Sequence, residues 1–319
     1  MTGHAVPAPD ACSVGFDRAG LRAYGTAARA SFFLAVEQPG PWGRDAATES
    51  HLPSGLGRAL AEACSTRGGR LSLIRRPGRH ADDHHEPGQV VYLAWAGPAP
   101  WLLTGRVTDH QVLLDVDLDA LARGDADAVR ASLPALSPSD PVLLVCTNGR
   151  RDVCCAVRGR PVALDAAAVS PGRVWEASHT GGHRFAPTGV LLPHGATLAR
   201  LNTELSTEVL AAADRGELPQ RALGPLHDRG RSPLEGAEQA AESHVRHLVG
   251  ETSLTALTTS APATAAPAPG SGAVAVVVSH RDGREWFVVC ERRTGPTELP
   301  ESCGKAAIPV ATWETTIRS

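Results

Sequence analysis

The chain has 319 residues, enough to bury a sizeable core as two domains or one large one. It is 42% hydrophobic and 20% charged with a formal net charge of −3, a balance that argues against a nucleic-acid partner held by a global positive field. Its apolar stretches fall far short of the roughly 18 residues a membrane span needs.

The start, MTGHAVPAPDACS, has neither a basic nor an apolar leader region, so a cytoplasmic location and no membrane partner are expected. Seven cysteines, Cys12, Cys64, Cys146, Cys154, Cys155, Cys290 and Cys303, are an odd and scattered set. In a chain that needs no staples they read as ligands, thiols or core residues in a reducing compartment. Lys305 is the single lysine, so the abundance of arginine reflects composition more than chemistry.

In chain order, Leu21 to Ala30 suits a helix apart from Gly25, and Ser31 to Val36 (SFFLAV) a buried strand. Gln38 to Arg44 (QPGPWGR) must turn, and its Trp42 packs either over that loop or over a nearby cofactor. Leu56 to Cys64 reads as a helix and Leu71 to Ile74 as a strand. Residues 75 to 88 form a polar loop whose HADDHHE run either binds a metal or is simply solvated. Val90 to Trp95 and Trp101 to Val107 are hairpin arms, Val112 to Val116 continues the sheet, and Leu118 to Ser132 is a helix.

Pro141 to Val145 (PVLLV) is a short buried strand that ends where Cys146 opens the turn Thr147-Asn148-Gly149. Val174 to Ser178 and Gly189 to Leu192 are further strands, and Thr197 to Leu210 has apolar residues at helical spacing. Ser232-Pro233 should start a helix ending near Leu248. Leu257 to Gly272 is a linker by its Ala, Pro, Ser and Thr content, and Val274 to His280 and Trp286 to Arg292 form a hairpin about Asp282-Gly283. No internal repeat is apparent.

The chemistry concentrates between Cys146 and His183. Cys146 and Cys155 lie nine residues apart in CTNGRRDVCC, and His179 and His183 lie four apart in HTGGH. Two thiolates and two imidazoles suit iron-sulfur or zinc chemistry, and Gly181-Gly182 lets the backbone approach an inorganic group closely. Arg150, Arg151, Arg158, Arg160, Arg173 and Arg184 outnumber Asp152, Asp165 and Glu176 around the motif, either docking an acidic redox partner or forming a solvated face. A thiol oxidoreductase would want Cys-x-x-Cys, which the chain lacks, and a glycosidase two facing carboxylates, which do not stand out.

Cys-x8-Cys with Arg151-Asp152, His-x-Gly-Gly-His and the downstream Pro193-His194-Gly195 together resemble the sucrase/ferredoxin-like family, as do residues 36 to 53 and Glu301 to Lys305. The resemblance implies an α/β (α+β) chain. Its parts would be an N-terminal α+β domain (11–138), a thioredoxin-like [2Fe-2S] ferredoxin domain (139–256), a linker (257–273) and a C-terminal β-hairpin extension (274–319). It implies a [2Fe-2S] cofactor and metal centre on Cys146, Cys155, His179 and His183, with Cys155 preferred over Cys154. The remaining cysteines are then core or incidental thiols. The expected role is that of a non-catalytic electron carrier ahead of an enzyme, with an unidentified redox protein partner; the alternatives are a structural zinc-binding or redox-inert interaction protein and, behind these, a glycoside hydrolase. By analogy with Rieske centres, imidazole ligation would put the potential at roughly −150 to +300 mV.

Overall fold

The computed structural model describes residues 7–53, 55–78, 88–262 and 272–318, so the HADDHHE run lies outside the described residues. The elements are α1 (Cys12–Arg18), β1 (Phe32–Glu37), α2 (Ala46–Glu49), α3 (Leu56–Ser65), β2 (Gly69–Arg75), β3 (Gln89–Trp95), β4 (Trp101–Val107), α4 (Leu118–Arg123), α5 (Ala126–Ser132) and β5 (Ser137–Pro138). There follow β6 (Val142–Cys146), α6 (Val153–Val169), β7 (Val174–Ala177), β8 (Gly189–Leu192), β9 (Ala196–Leu198), α7 (Thr203–Ala213), β10 (Asp228–Arg231) and α8 (Gly236–Val249). A separate four-stranded sheet contains β11 (Leu257–Ser260), β12 (Ala273–His280), β13 (Glu285–Pro300) and β14 (Ala307–Arg318). The class is α+β, as expected.

The first ten strands form one sheet in the order β10-β9-β8-β6-β7-β2-β1-β3-β4-β5. That order hides a duplication. β1 and β2 are parallel, β3 runs antiparallel to β1, and β4 and β5 extend the edge. β6 and β7 are likewise parallel, β8 runs antiparallel to β6, and β9 and β10 extend the opposite edge. Each half has a helix between its two parallel strands, α3 in one and α6 in the other, so one module occurs twice. Among the described residues, the strands of the two halves pair only through β2 and β7, antiparallel, at Ile74↔Ala177 and Arg75↔Glu176.

Strand alternation explains how the core is divided. β1 sends Phe32, Leu34 and Val36 toward the face covered by α3 to α5, and β6 sends Leu143 and Val145 toward α6 and α7. The alternate residues Phe33, Ala35, Val142 and Leu144 join Tyr92, Trp175 and Leu192 in a core that runs across the seam on the other face. The second sheet packs Val276, Val278, Val288 and Cys290 against Ala237, Ala241 and Val245 of α8.

Several expectations need correction. Leu21 to Ala30 is not helical: Ala23, Ala27 and Ala30 donate their N–H groups to Pro225, Arg229 and Ser232, laying this segment along a distant stretch of chain. Val112 to Val116 is no strand, because the Asp109 side chain accepts from Gln111 N–H and opens a 3-10 turn over His110–Leu114. The helix expected over Leu118 to Ser132 is broken by Gly124 at φ +80°, and Asp125 caps a second helix. Thr197 to Leu210 starts as strand, and its helix begins only after the Asn202 cap. Ser232 gives its hydroxyl to Ala30, so α8 starts later, at a capping box of Glu235 and Glu238. Leu257 to Ser260 is not linker but strand, paired with β12.

Candidate metal centre

Cys146 is the last residue of β6, 1% exposed, with its N–H bonded to the Thr188 carbonyl at 2.8 Å. The chain then turns and enters α6, whose cap is Asp152: its carboxylate accepts from Cys154 N–H at 2.9 Å. Cys155 sits in the first turn of that helix, fully buried. Helix and strand are brought together by Gly159, where a side chain would run into the Cys146 carbonyl. The first module has no such pair. At the matching end of its β1 comes the Gln38 to Arg44 turn, filled by buried Trp42, whose indole donates to the Gln38 carbonyl at 2.6 Å while Arg75 stacks on its ring. Trp42 therefore packs over its own loop.

The histidine loop leaves β7 and is held by its backbone. Ser178 exchanges hydrogen bonds with Leu73, Arg70 donates to the His179 carbonyl at 3.0 Å, and Arg229 donates to the Gly181 carbonyl at 2.9 Å. Thr180 and Thr188 join their hydroxyls across the loop at 3.0 Å. Gly181 and Gly182 take φ values of +86° and +69°, the left-handed region that glycine enters without cost. His183 then opens a short 3-10 turn ending at Phe185.

The structure brings donor atoms of Cys146, Cys155 and His179 within 4.8 Å of one another. His183 stands beside this trio: its ring centre is 5.5 Å from that of His179, and its Nε2 faces the Asp152 carboxylate at 3.8 Å. Of the adjacent cysteines, Cys155 joins Cys146, whereas Cys154 turns toward Cys12 and Cys303. Sequence spacing gave no sign of that second grouping.

The electrostatics match a soft-donor site. A hydrogen bond from Cys155 holds the Cys146 thiol well below its usual pKa against the opposing effect of burial, with His179 adding to the drop. The same contact, followed by burial, pushes Cys155 up. Burial lowers His183, Asp152 opposing, which favours the neutral imidazole that metals bind. Nδ1 of His179 and Nδ1 of His183 are both buried without a hydrogen-bond partner. Buried polar atoms are normally satisfied, so these two nitrogens fit a group that would take them as ligands.

Two cations that sequence reasoning missed, the half-buried Arg70 and the buried Arg229, flank the loop, and desolvation pushes the pKa of each down. No motif marks them, because they come from β2 and β10. Of the arginines nearer in sequence, Arg158 pairs with Asp17 at 2.7 Å and Arg173 with Asp214 at 2.6 Å. Arg150 and Arg151 are exposed, and Arg151 lines a cleft of roughly 360 Å³ with Arg44, Arg70, Asn148 and His179. The nearby buried carboxylates are already committed. Asp152 accepts from Cys154 N–H, Cys303 N–H and the Ser302 hydroxyl, and Glu176 from Arg75 and Thr147. Neither is poised as the acid or base of glycoside hydrolysis.

Among the described residues, no helix is long and apolar enough to cross a membrane. No curated protein and no solved structure matches the chain significantly. The model of the sucrase/ferredoxin-like proteins matches residues 23–220, more than half of the chain, which takes in β1 to β9 and the whole of the Cys146 to His183 site. The chain belongs to the sucrase/ferredoxin-like family.

Proposed function

We propose that the protein is a one-electron carrier in which Cys146, Cys155, His179 and His183 hold a [2Fe-2S] cluster, and that the second module is its thioredoxin-like ferredoxin unit. The observation that carries this reading is the convergence of two buried thiols and the His179 imidazole, with the His183 ring 5.5 Å from that of His179 and both Nδ1 atoms left without protein hydrogen-bond partners. The cluster would supply a reversible one-electron couple. The rest is done by the chain. β6 and α6 hold the thiols rigidly, and the loop pinned by Arg70 and Arg229 presents the imidazoles. Asp152 faces His183 across 3.8 Å, close enough for its charge to act on the ring without a hydrogen bond.

Two imidazoles in place of two thiolates leave the centre less negative by two charges, and the nearby Arg70 and Arg229 cations favour the reduced state further. The cleft along His179 gives a solvent-facing edge for electron exchange, and its Arg44, Arg70 and Arg151 suit an acidic redox partner in the cytoplasm. Purified anaerobically, the protein should be red-brown, contain iron and acid-labile sulfide, and bleach with dithionite. A colourless protein without iron or sulfide would end this reading. The tight grouping of Cys146, Cys155 and His179 favours, as the second reading, one structural zinc ion; that protein would be colourless and hold zinc that is lost on replacing Cys146.

A further inference from the structure

A second set of donors lies on the other side of Asp152. Cys12 comes from α1, Cys154 from the first turn of α6, and Cys303 from the turn between β13 and β14. Their sulfurs form a nearly equilateral triangle: Cys12 to Cys154 3.6 Å, Cys154 to Cys303 3.2 Å, and Cys303 to Cys12 3.5 Å. Both Asp152 oxygens are 3.9 Å from the Cys12 sulfur, and donor atoms of all four residues lie within 4.8 Å of one another. Cys12, Cys154 and Asp152 are buried, while Cys303 is partly exposed and leaves a way in.

We propose that Cys12, Cys154, Cys303 and Asp152 form a structural site for one zinc ion, separate from the Cys146 to His183 centre. Around a tetrahedral zinc with Zn–S of about 2.3 Å, sulfurs lie about 3.8 Å apart, so the observed triangle needs to open by only a few tenths of an ångström. A disulfide would join two of the three and strand the third. The fourth ligand is already aimed. A carboxylate has about four lone-pair positions; Asp152 Oδ2 takes two hydrogen bonds, from Cys303 N–H and Ser302, and Oδ1 takes one, from Cys154 N–H. The other position on Oδ1 faces only the Cys12 thiol, at 3.9 Å, whose proton the ion would replace. Three thiols with a carboxylate select zinc among the common divalent ions. Binding as thiolates releases up to three protons, and the ion leaves the site with two fewer negative charges than its ligands carry.

The three cysteines are separated by 142 and 149 residues in sequence, so a metal here would clasp both ends of the chain to the helix that carries Cys155. It would close a loop of nearly the whole chain, the case in which a clip restricts the unfolded state most.

The test is metal analysis of the full chain, expressed with zinc and purified anaerobically, with zinc, iron and sulfide measured separately. The proposal expects one zinc per chain, retained in Cys146→Ser, which empties the first site. That zinc should be lost in Cys303→Ser and in Cys12→Ser while their iron and visible absorption persist. Cobalt added to zinc-free wild-type protein should give thiolate-to-cobalt charge transfer and tetrahedral d–d absorption, a readout independent of how any variant folds. Zinc absent from wild type with no cobalt–thiolate bands, zinc unaffected by both serine variants, or a Cys154–Cys303 disulfide found by mass spectrometry would each overturn it. If the first site held zinc instead of iron, wild type would carry two zinc ions, and the one retained in Cys146→Ser and lost in Cys12→Ser and Cys303→Ser would still report on this site alone.

Discussion

Arg229 and Gly182 occupy one space: a side chain on residue 182 would begin where the Arg229 guanidinium lies. Gly182 also stands at φ +69°. Gly182→Ala therefore pays twice, about 1 kcal/mol for the left-handed backbone and more for displacing the arginine. The expected outcome is a folded protein with markedly reduced iron per chain, read by metal analysis beside a thermal melt. Normal loading in Gly182→Ala would show that the loop geometry is not what presents the histidines.

In the proposed cluster, His183→Cys would add a third thiolate. The variant should keep a cluster, shift its visible spectrum and lower its midpoint potential, because a thiolate adds one negative charge to the centre. Loss of all colour would mean that residue 183 is held too far from the Cys146, Cys155 and His179 trio for sulfur to reach.

Arg229→Gln removes a buried charge at the loop while keeping a donor for the Gly181 carbonyl. The potential should fall by tens of millivolts, ~60 mV being about 1.4 kcal/mol for one electron. Protein-film voltammetry on samples matched for iron content measures this directly. An unchanged potential would assign Arg229 to holding the loop alone.

Glu242 predicts the acid limit of the fold. Burial pushes its carboxyl up, but Arg231 and Arg246, at 2.7 Å each, outweigh that and hold it below the usual value. A depressed carboxylate contributes stability that is present above the unfolded pKa of about 4.3 and is lost as pH falls through the lower folded value. The melting temperature should thus be steady above about pH 5 and drop below it. Glu242→Gln should flatten that acid slope and cost roughly 3–5 kcal/mol at neutral pH by taking the carboxylate partner from the buried Arg246 and the half-buried Arg231. A full acid slope in Glu242→Gln would assign the acid limit to other carboxylates.

The strands that carry the site were legible because they are short apolar runs ending in turn residues: Val142 to Cys146, Val174 to Ala177 and Gly189 to Leu192 fall where Pro141, Asn148-Gly149 and Pro193 bracket them. Helix α6 was not, since Gly159 and Pro161 interrupt its pattern; yet Gly159 is what lets the helix reach Cys146. The duplicated module left no trace because it is a repetition of strand order, which dissimilar side chains satisfy equally well. Arg70 and Arg229, like the Cys12, Cys154 and Cys303 triangle, depend on contacts between elements far apart in the chain, and local spacing is blind to those.

The seam between the modules is only two residue pairs long, and its charged pair reaches straight into the site. Arg75 of the first half grips Glu176 of the second, Glu176 accepts from Thr147 beside Cys146, and Ala177, the other seam residue, is two positions ahead of His179. Any twisting of one half against the other is thereby geared to the gap between the sulfur and imidazole arms. The handle is the half whose turn Trp42 plugs, and a partner that gripped it would shift the spacing of Cys146 and His179 from a distance without touching either.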